Sequence, residues 1–74
     1  MTIEEYRIVL GWSKQQLADE SGIDITTLYN ALDPRKRIYK ATASKIAAGI
    51  SKGLKERNLH LINYSDLDGL QFAD

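Results

Sequence analysis

The sequence predicts an all-α fold, a compact domain of four to five helices, on three observations. A side-chain N-cap signature recurs at Thr2, Ser13 and Asp24, the first two in the Ser/Thr-x-x-Glu/Gln form in which the cap and the third helical residue satisfy each other's backbone N–H groups. Gly11 and Gly22 stand where the first two of these segments have to stop, glycine being the residue that enters the left-handed conformation of a helix C-terminus at least cost. Beyond them, Ala43, Ile46, Ala47, Ile50 and Leu54 recur at the spacing that places side chains on one helical face.

The first helix is expected from Ile3 to Leu10, with Met1 and Tyr6 flanking the Thr2 cap as a hydrophobic staple. The second begins directly after Gly11. Ser13 caps it, Trp12 can staple onto Leu17, and it covers Lys14 to Glu20. Asp24 caps the third, with Ile23 and Leu28 in the staple positions. There Leu28, Ala31 and Leu32 make a buried stripe, while Ile25, Thr26, Tyr29 and Asn30 point elsewhere. Asp33-Pro34 ends this helix, since a residue before proline avoids helical geometry. A basic loop, Arg35-Lys36-Arg37-Ile38-Tyr39-Lys40, follows. Thr42 is the expected cap of a fourth helix that ends near Arg57. Gly49 and Gly53 weaken that helix by about 1 kcal/mol each relative to alanine, which close packing against a neighbouring helix would explain. In the remainder, His60 to Tyr64 reads as a short strand and Ser65 to Leu70 as a capped helical turn. Residues 1–58 are thus expected to form the domain, with 59–74 as a C-terminal extension.

Composition narrows what such a domain can be. A chain of 74 residues holds one small core. Without cysteine and with one histidine, neither a disulfide framework nor a metal site can staple it. Nothing is apolar for long enough to span a bilayer, and the acidic start, Met1-Thr2-Ile3-Glu4-Glu5, is unlike a signal peptide, so a cytoplasmic location is expected. His60 stands alone, with no carboxylate pair or nucleophile and base around it. No catalytic residue, cofactor, metal or small-molecule substrate is therefore expected, and the chain does not read as an enzyme.

The net charge is zero, but its distribution is polarised. Residues 1–33 hold two cations against six anions, a net −4; residues 34–57 hold eight cations against Glu56, a net +7; Asp66, Asp68 and Asp74 make the last stretch −3. Charges act over about 10 Å at moderate salt, so a local basic stretch can steer toward phosphate whatever the total. That stretch follows directly on two short helices joined at Ser21-Gly22-Ile23, the second of which carries small polar side chains.

The runs Gly11-Trp12-Ser13-Lys14-Gln15-Gln16-Leu17-Ala18, Ser21-Gly22-Ile23-Asp24 and Thr27-Leu28-Tyr29-Asn30 resemble the phage repressor and Cro-like helix-turn-helix family, over about residues 3 to 57. The resemblance implies a lambda-repressor-like domain that binds specific double-stranded DNA, a transcriptional regulator of the repressor kind, with the third helix in the major groove. It implies a phosphate contact for Lys14, where relatives commonly have glutamine. It places Ile25, Thr26, Thr27, Tyr29 and Asn30 on the face that meets bases and backbone. Asn30 can pair bidentately with adenine, a threonine can reach base or phosphate, and Ile25 or a threonine methyl can meet the thymine methyl. Against this stands the plainer reading of those polar residues as solvated surface, and for Tyr29 packing is as good an account as recognition. Arg35, Lys36, Arg37 and Lys40 lie where relatives run a loop along the DNA backbone, although a basic loop also serves solubility. Lys45 and Lys52 read as the wet side of the fourth helix.

The chain departs from the family where Ala31-Leu32-Asp33-Pro34 replaces the usual glutamate-bearing end of the third helix. Arg7 loses its standard partner there, and Asp33 is the available substitute. Because one helix-turn-helix reads few base pairs, a homodimer is expected. Its contact could come from Leu59, Leu61, Ile62, Tyr64, Leu67, Leu70 and Phe72, which could equally cover the chain's own core. The alternative function is a protein-interaction module, such as an antitoxin or antirepressor-like factor.

Overall fold

Local capping chemistry accounts for the first three helices. In the computed structural model, which describes all 74 residues, α1 spans Ile3–Leu10, α2 Lys14–Ser21, α3 Ile25–Leu32 and α4 Lys40–Glu56. Thr2 and Glu5 close a full capping box at α1, each side chain bonded to the other's backbone N–H. At α2 only half of the expected box forms: Ser13 Oγ accepts from the Gln16 N–H at 3.0 Å, without a return bond from the Gln16 side chain. Asp24 caps α3 by accepting the Thr27 N–H at 2.7 Å. Gly11 and Gly22 both take φ of 69° as C-caps, a conformation in which a Cβ would be strained.

The fourth helix starts earlier than its sequence suggests. Its N-cap is Tyr39, not Thr42, and Tyr39 makes no side-chain cap bond. The Lys40 N–H instead donates to Asp74 Oδ1 at 2.9 Å, a cap delivered from the other end of the chain. The helix gives way at Arg57, and Asn58 turns the chain with a φ of 56°, which asparagine tolerates better than most residues.

α4 is the spine of the core. Its Ala43, Ile46, Ala47, Ile50 and Leu54 are buried with Ile3 and Leu10 of α1, Leu17 and Ala18 of α2, and Leu28 and Ala31 of α3. Its most extensive helix contact is with α2, and α2 in turn packs on α3. Leu17, Leu28, Ile46 and Ile50 are the largest side chains wholly withdrawn from water, each contributing on the order of 2 kcal/mol relative to exposure. Glycine permits the closest approach. A Cβ on Gly49 would lie 2.9 Å from the backbone N and Cα of Ser21, and one on Gly53 within 2.8 Å of Trp12 and Leu10.

Residues 59–74 lie against the chain's own helices. Tyr64–Asp66 is a single 3-10 turn, capped reciprocally by Asn63 and Asp66 in place of the longer turn from Ser65. No strand forms at His60 to Tyr64; the backbone there anchors by Ser51 Oγ, which donates to the Ile62 carbonyl and accepts from its N–H, both at 3.0 Å. Leu67 is buried, Ile62, Tyr64, Leu70 and Phe72 pack partly on the core, and Tyr64 meets Phe72 edge to face. Two isolated parallel bridges, Thr2 with Asp68 and Ile38 with Phe72, tie this segment to α1 and to the loop before α4. The radius of gyration, 11.0 Å, is close to the about 11.3 Å of a single compact domain of this length. No helix is long and apolar enough to cross a membrane.

Candidate nucleic-acid interface

The geometry of α2 and α3 follows from the three residues between them. Gly22 caps α2 with its N–H shared between the Ala18 and Asp19 carbonyls, and the Ile23 N–H returns to Ala18 at 3.1 Å. Asp24 then starts α3 at once. Its carboxyl is held below the usual value of 3.8 by hydrogen bonding from Thr27, so the cap is anionic at neutral pH. With Leu28 and Ala31 turned inward, the other side of α3 presents Thr26 and Tyr29 as exposed residues and Thr27 and Asn30 as half-buried ones. Ile25 behaves differently from the rest of that set: it is half-buried and packs against the core.

Cations lie against two neighbouring residues of this face, Tyr29 and Asn30. Lys14, the first residue of α2, carries its ammonium 5.7 Å from the centre of the Tyr29 ring, within the range of a cation–π contact. Lys36, in the loop, donates from Nζ to Asn30 Oδ1 at 2.9 Å. Side chains of α2, α3 and the following loop therefore meet on one surface. Arg35 is 87% exposed but bound to Asp33 through both Nε and Nη2 at 3.1 Å. That pairing lowers the Asp33 carboxyl and raises the Arg35 guanidinium relative to their ordinary values. Arg37 is exposed and bonds to no other side chain. Lys40 belongs to α4 and not to the loop, and its ammonium lies 6.0 Å from the Phe72 ring.

Arg7 does not reach Asp33. It bonds to Glu4 and to the Trp12 carbonyl, so its partner comes from its own helix one turn back. Asp33 is taken by its near neighbour Arg35. The pairing of Asp33 with Arg35, two residues apart, was not expected from the sequence, although an acid close to a base is a local signature. Nor were two other contacts, the bond of Lys36 to Asn30 and the docking of Phe72 and Asp74 against Lys40. Neither of these two has a local signature.

The resulting surface offers an amide, two threonine hydroxyls, a phenol and several cations. This is a set of hydrogen-bond donors suited to phosphate oxygens and base edges. No group of three or more His, Asp or Glu side chains converges anywhere in the chain. The one cleft, of about 290 Å³, lies elsewhere, between the start of α1, the end of α3 and the tail, lined by residues such as Ile3, Leu32, Pro34 and Leu70. No family model, curated protein or solved structure matches the chain.

Proposed function

We propose that this chain binds specific double-stranded DNA as a lambda-repressor-like helix-turn-helix protein and acts as a transcriptional repressor in the cytoplasm, without catalysis or cofactor. The observation that carries this is the α3 face: polar, outward, and met by Lys14 on Tyr29 and by Lys36 on Asn30. In this reading α3 enters the major groove, Thr26, Thr27, Tyr29 and Asn30 meet base edges or adjacent backbone, and Lys14, Arg35, Lys36, Arg37 and Lys40 take phosphates. Ile25 contributes mainly by packing. Zero net charge is compatible with this because the cations concentrate in residues 34–57.

The test is duplex binding over a salt series. A protein neutralising several phosphates loses affinity steeply as salt rises, with a slope of about −0.9 per phosphate. Arg37→Ala is the sharpest probe, since Arg37 has no internal partner to release. It should weaken binding to every sequence alike and reduce the slope by about one unit. Absence of salt-dependent duplex binding would overturn the assignment.

A second reading rests on another surface. Ile8 and Val9 on α1 and Leu59 and Leu61 after α4 are all at least half exposed, apolar side chains that a partner would cover. Their exposure favours a protein partner, either a second copy in a homodimer or the target of an antitoxin or antirepressor-like module. Sedimentation distinguishes the first: a homodimer on paired half-sites should be about twice the chain mass. An interaction module should scarcely bind DNA.

A further inference from the structure

We infer that Asn30 and Lys36 act as one unit that reads guanine, a specificity resting on the DNA-binding assignment above. An isolated asparagine on a recognition helix matches adenine, because its amide oxygen accepts from the adenine amino group while its NH2 donates to N7. Asn30 is not isolated. The group 2.9 Å from the Lys36 ammonium is its Oδ1, and chemistry allows no other orientation, since an ammonium has only donors and needs an acceptor opposite it.

The consequence is a change in the pattern shown to a base. One of the two lone pairs of the Asn30 carbonyl is engaged by a cation, and beside it lie the Asn30 NH2 and the unused N–H groups of Lys36. Both are donors. Guanine presents two acceptors, N7 and O6, in the major groove, and it satisfies both. Adenine would bring its amino group beside an ammonium, leaving donor against donor in a site from which water is displaced.

The surroundings preserve this arrangement. Arg35 is held by Asp33, so it does not compete for the Asn30 carbonyl. Lys36 is itself anchored at the backbone, its N–H bonding the Asp33 carbonyl at 3.1 Å. That bond fixes the loop one turn beyond α3, where a lysine stem can reach back. Lys36 thereby moves from an anonymous phosphate contact to a specificity-determining residue.

The experiment is selection of bound duplexes from a random pool with the full chain, the variants Asn30→Ala, Lys36→Met and Lys36→Arg, and circular dichroism to confirm that each is helical. The relevant base position is the one whose preference Asn30→Ala abolishes. The wild type should select guanine there by about 5- to 150-fold over adenine, the range of one good bidentate contact. Lys36→Met, which frees the Asn30 carbonyl, should shift that position to adenine, and Lys36→Arg, which keeps the donors, should retain guanine. Selection of adenine by the wild type, unchanged preferences in Asn30→Ala, or guanine kept by Lys36→Met with uniformly weaker binding would each overturn the pair as the reader while leaving DNA binding intact. Failure of every protein to retain any duplex would overturn the DNA-binding assignment itself, and this inference with it.

Discussion

Gly49→Ala should destabilise the protein although alanine is the better helix former. In an open helix interior the exchange is worth about 1 kcal/mol in favour of alanine. At this position the new Cβ would fall inside contact distance of Ser21 Oγ and 2.9 Å from Ser21 Cα and N. A side chain can rotate away, but backbone cannot, so α2 and α4 would have to separate by several tenths of an ångström along the most extensive helix contact of the fold. Overpacking of this kind costs about 1–3 kcal/mol. Net of helix propensity, a loss of up to about 2 kcal/mol is expected, and at about 4–8 °C per kcal/mol in a domain of this size the Tm should fall by up to about 16 °C. Thermal unfolding followed by circular dichroism measures it. Ala48→Gly, next in sequence but exposed, supplies the contrast: it should lose about 1 kcal/mol through propensity alone. If Gly49→Ala instead raises Tm, the two helices do not approach as described and the reasoning fails.

Two buried serines should respond in opposite directions. Ser51→Ala removes both bonds to the Ile62 backbone and leaves those groups unpaired, for a loss of about 1–3 kcal/mol in urea unfolding; Ser21→Ala removes a buried hydroxyl that has no partner and should be neutral or stabilising, by up to about 1 kcal/mol. A chain ending at Asn58 would expose the sites of Leu67, Leu70 and Phe72 and strip Asp74 from α4; it should unfold or aggregate, and a well-folded monomer by circular dichroism and sedimentation would contradict the role of the tail as core cover. Acid should weaken the fold through its caps. Asp24, Asp33 and Glu5 all titrate below their ordinary values of 3.8, 3.8 and 4.5 because Thr27, Arg35 and Thr2 hydrogen-bond to them. Their stabilisation is complete above those ordinary values and is lost as pH falls through the lowered folded ones. The urea midpoint should therefore drop below about pH 4, less so in Asp24→Asn, which keeps the cap without the charge; an identical drop in that variant would remove Asp24 as a cause.

The all-α class, the bounds of α1 and α3 and the break at Asp33-Pro34 were legible in the sequence, because each depends on residues within one turn of itself. Thr2, Ser13 and Asp24 satisfy N–H groups three residues on, and Gly11 and Gly22 supply a conformation that other residues resist. The tight fit behind Gly49 and Gly53 was legible as well, since glycine in a helix interior is costly unless something lies against it. Tertiary structure decided the rest. The start of α4 at Lys40 depends on Asp74, thirty-four residues away, and no local pattern announces it. His60 to Tyr64 read as a short strand and Ser65 to Leu70 as a helical turn, but the tail is held at single anchor points, at Ser51, Thr2 and Ile38, and not by a ladder. Likewise the polar residues of α3 and the cations of the loop could be named from the sequence, but their grouping could not. Whether Asn30 meets a solvent molecule or Lys36 is set by how the chain turns after Pro34, and that turn is fixed only once Ile38 is buried and hydrogen-bonded to Gln71 and Ala73. Local chemistry determines where helices begin and end; which side chains share a surface is settled by contacts between residues far apart in the chain.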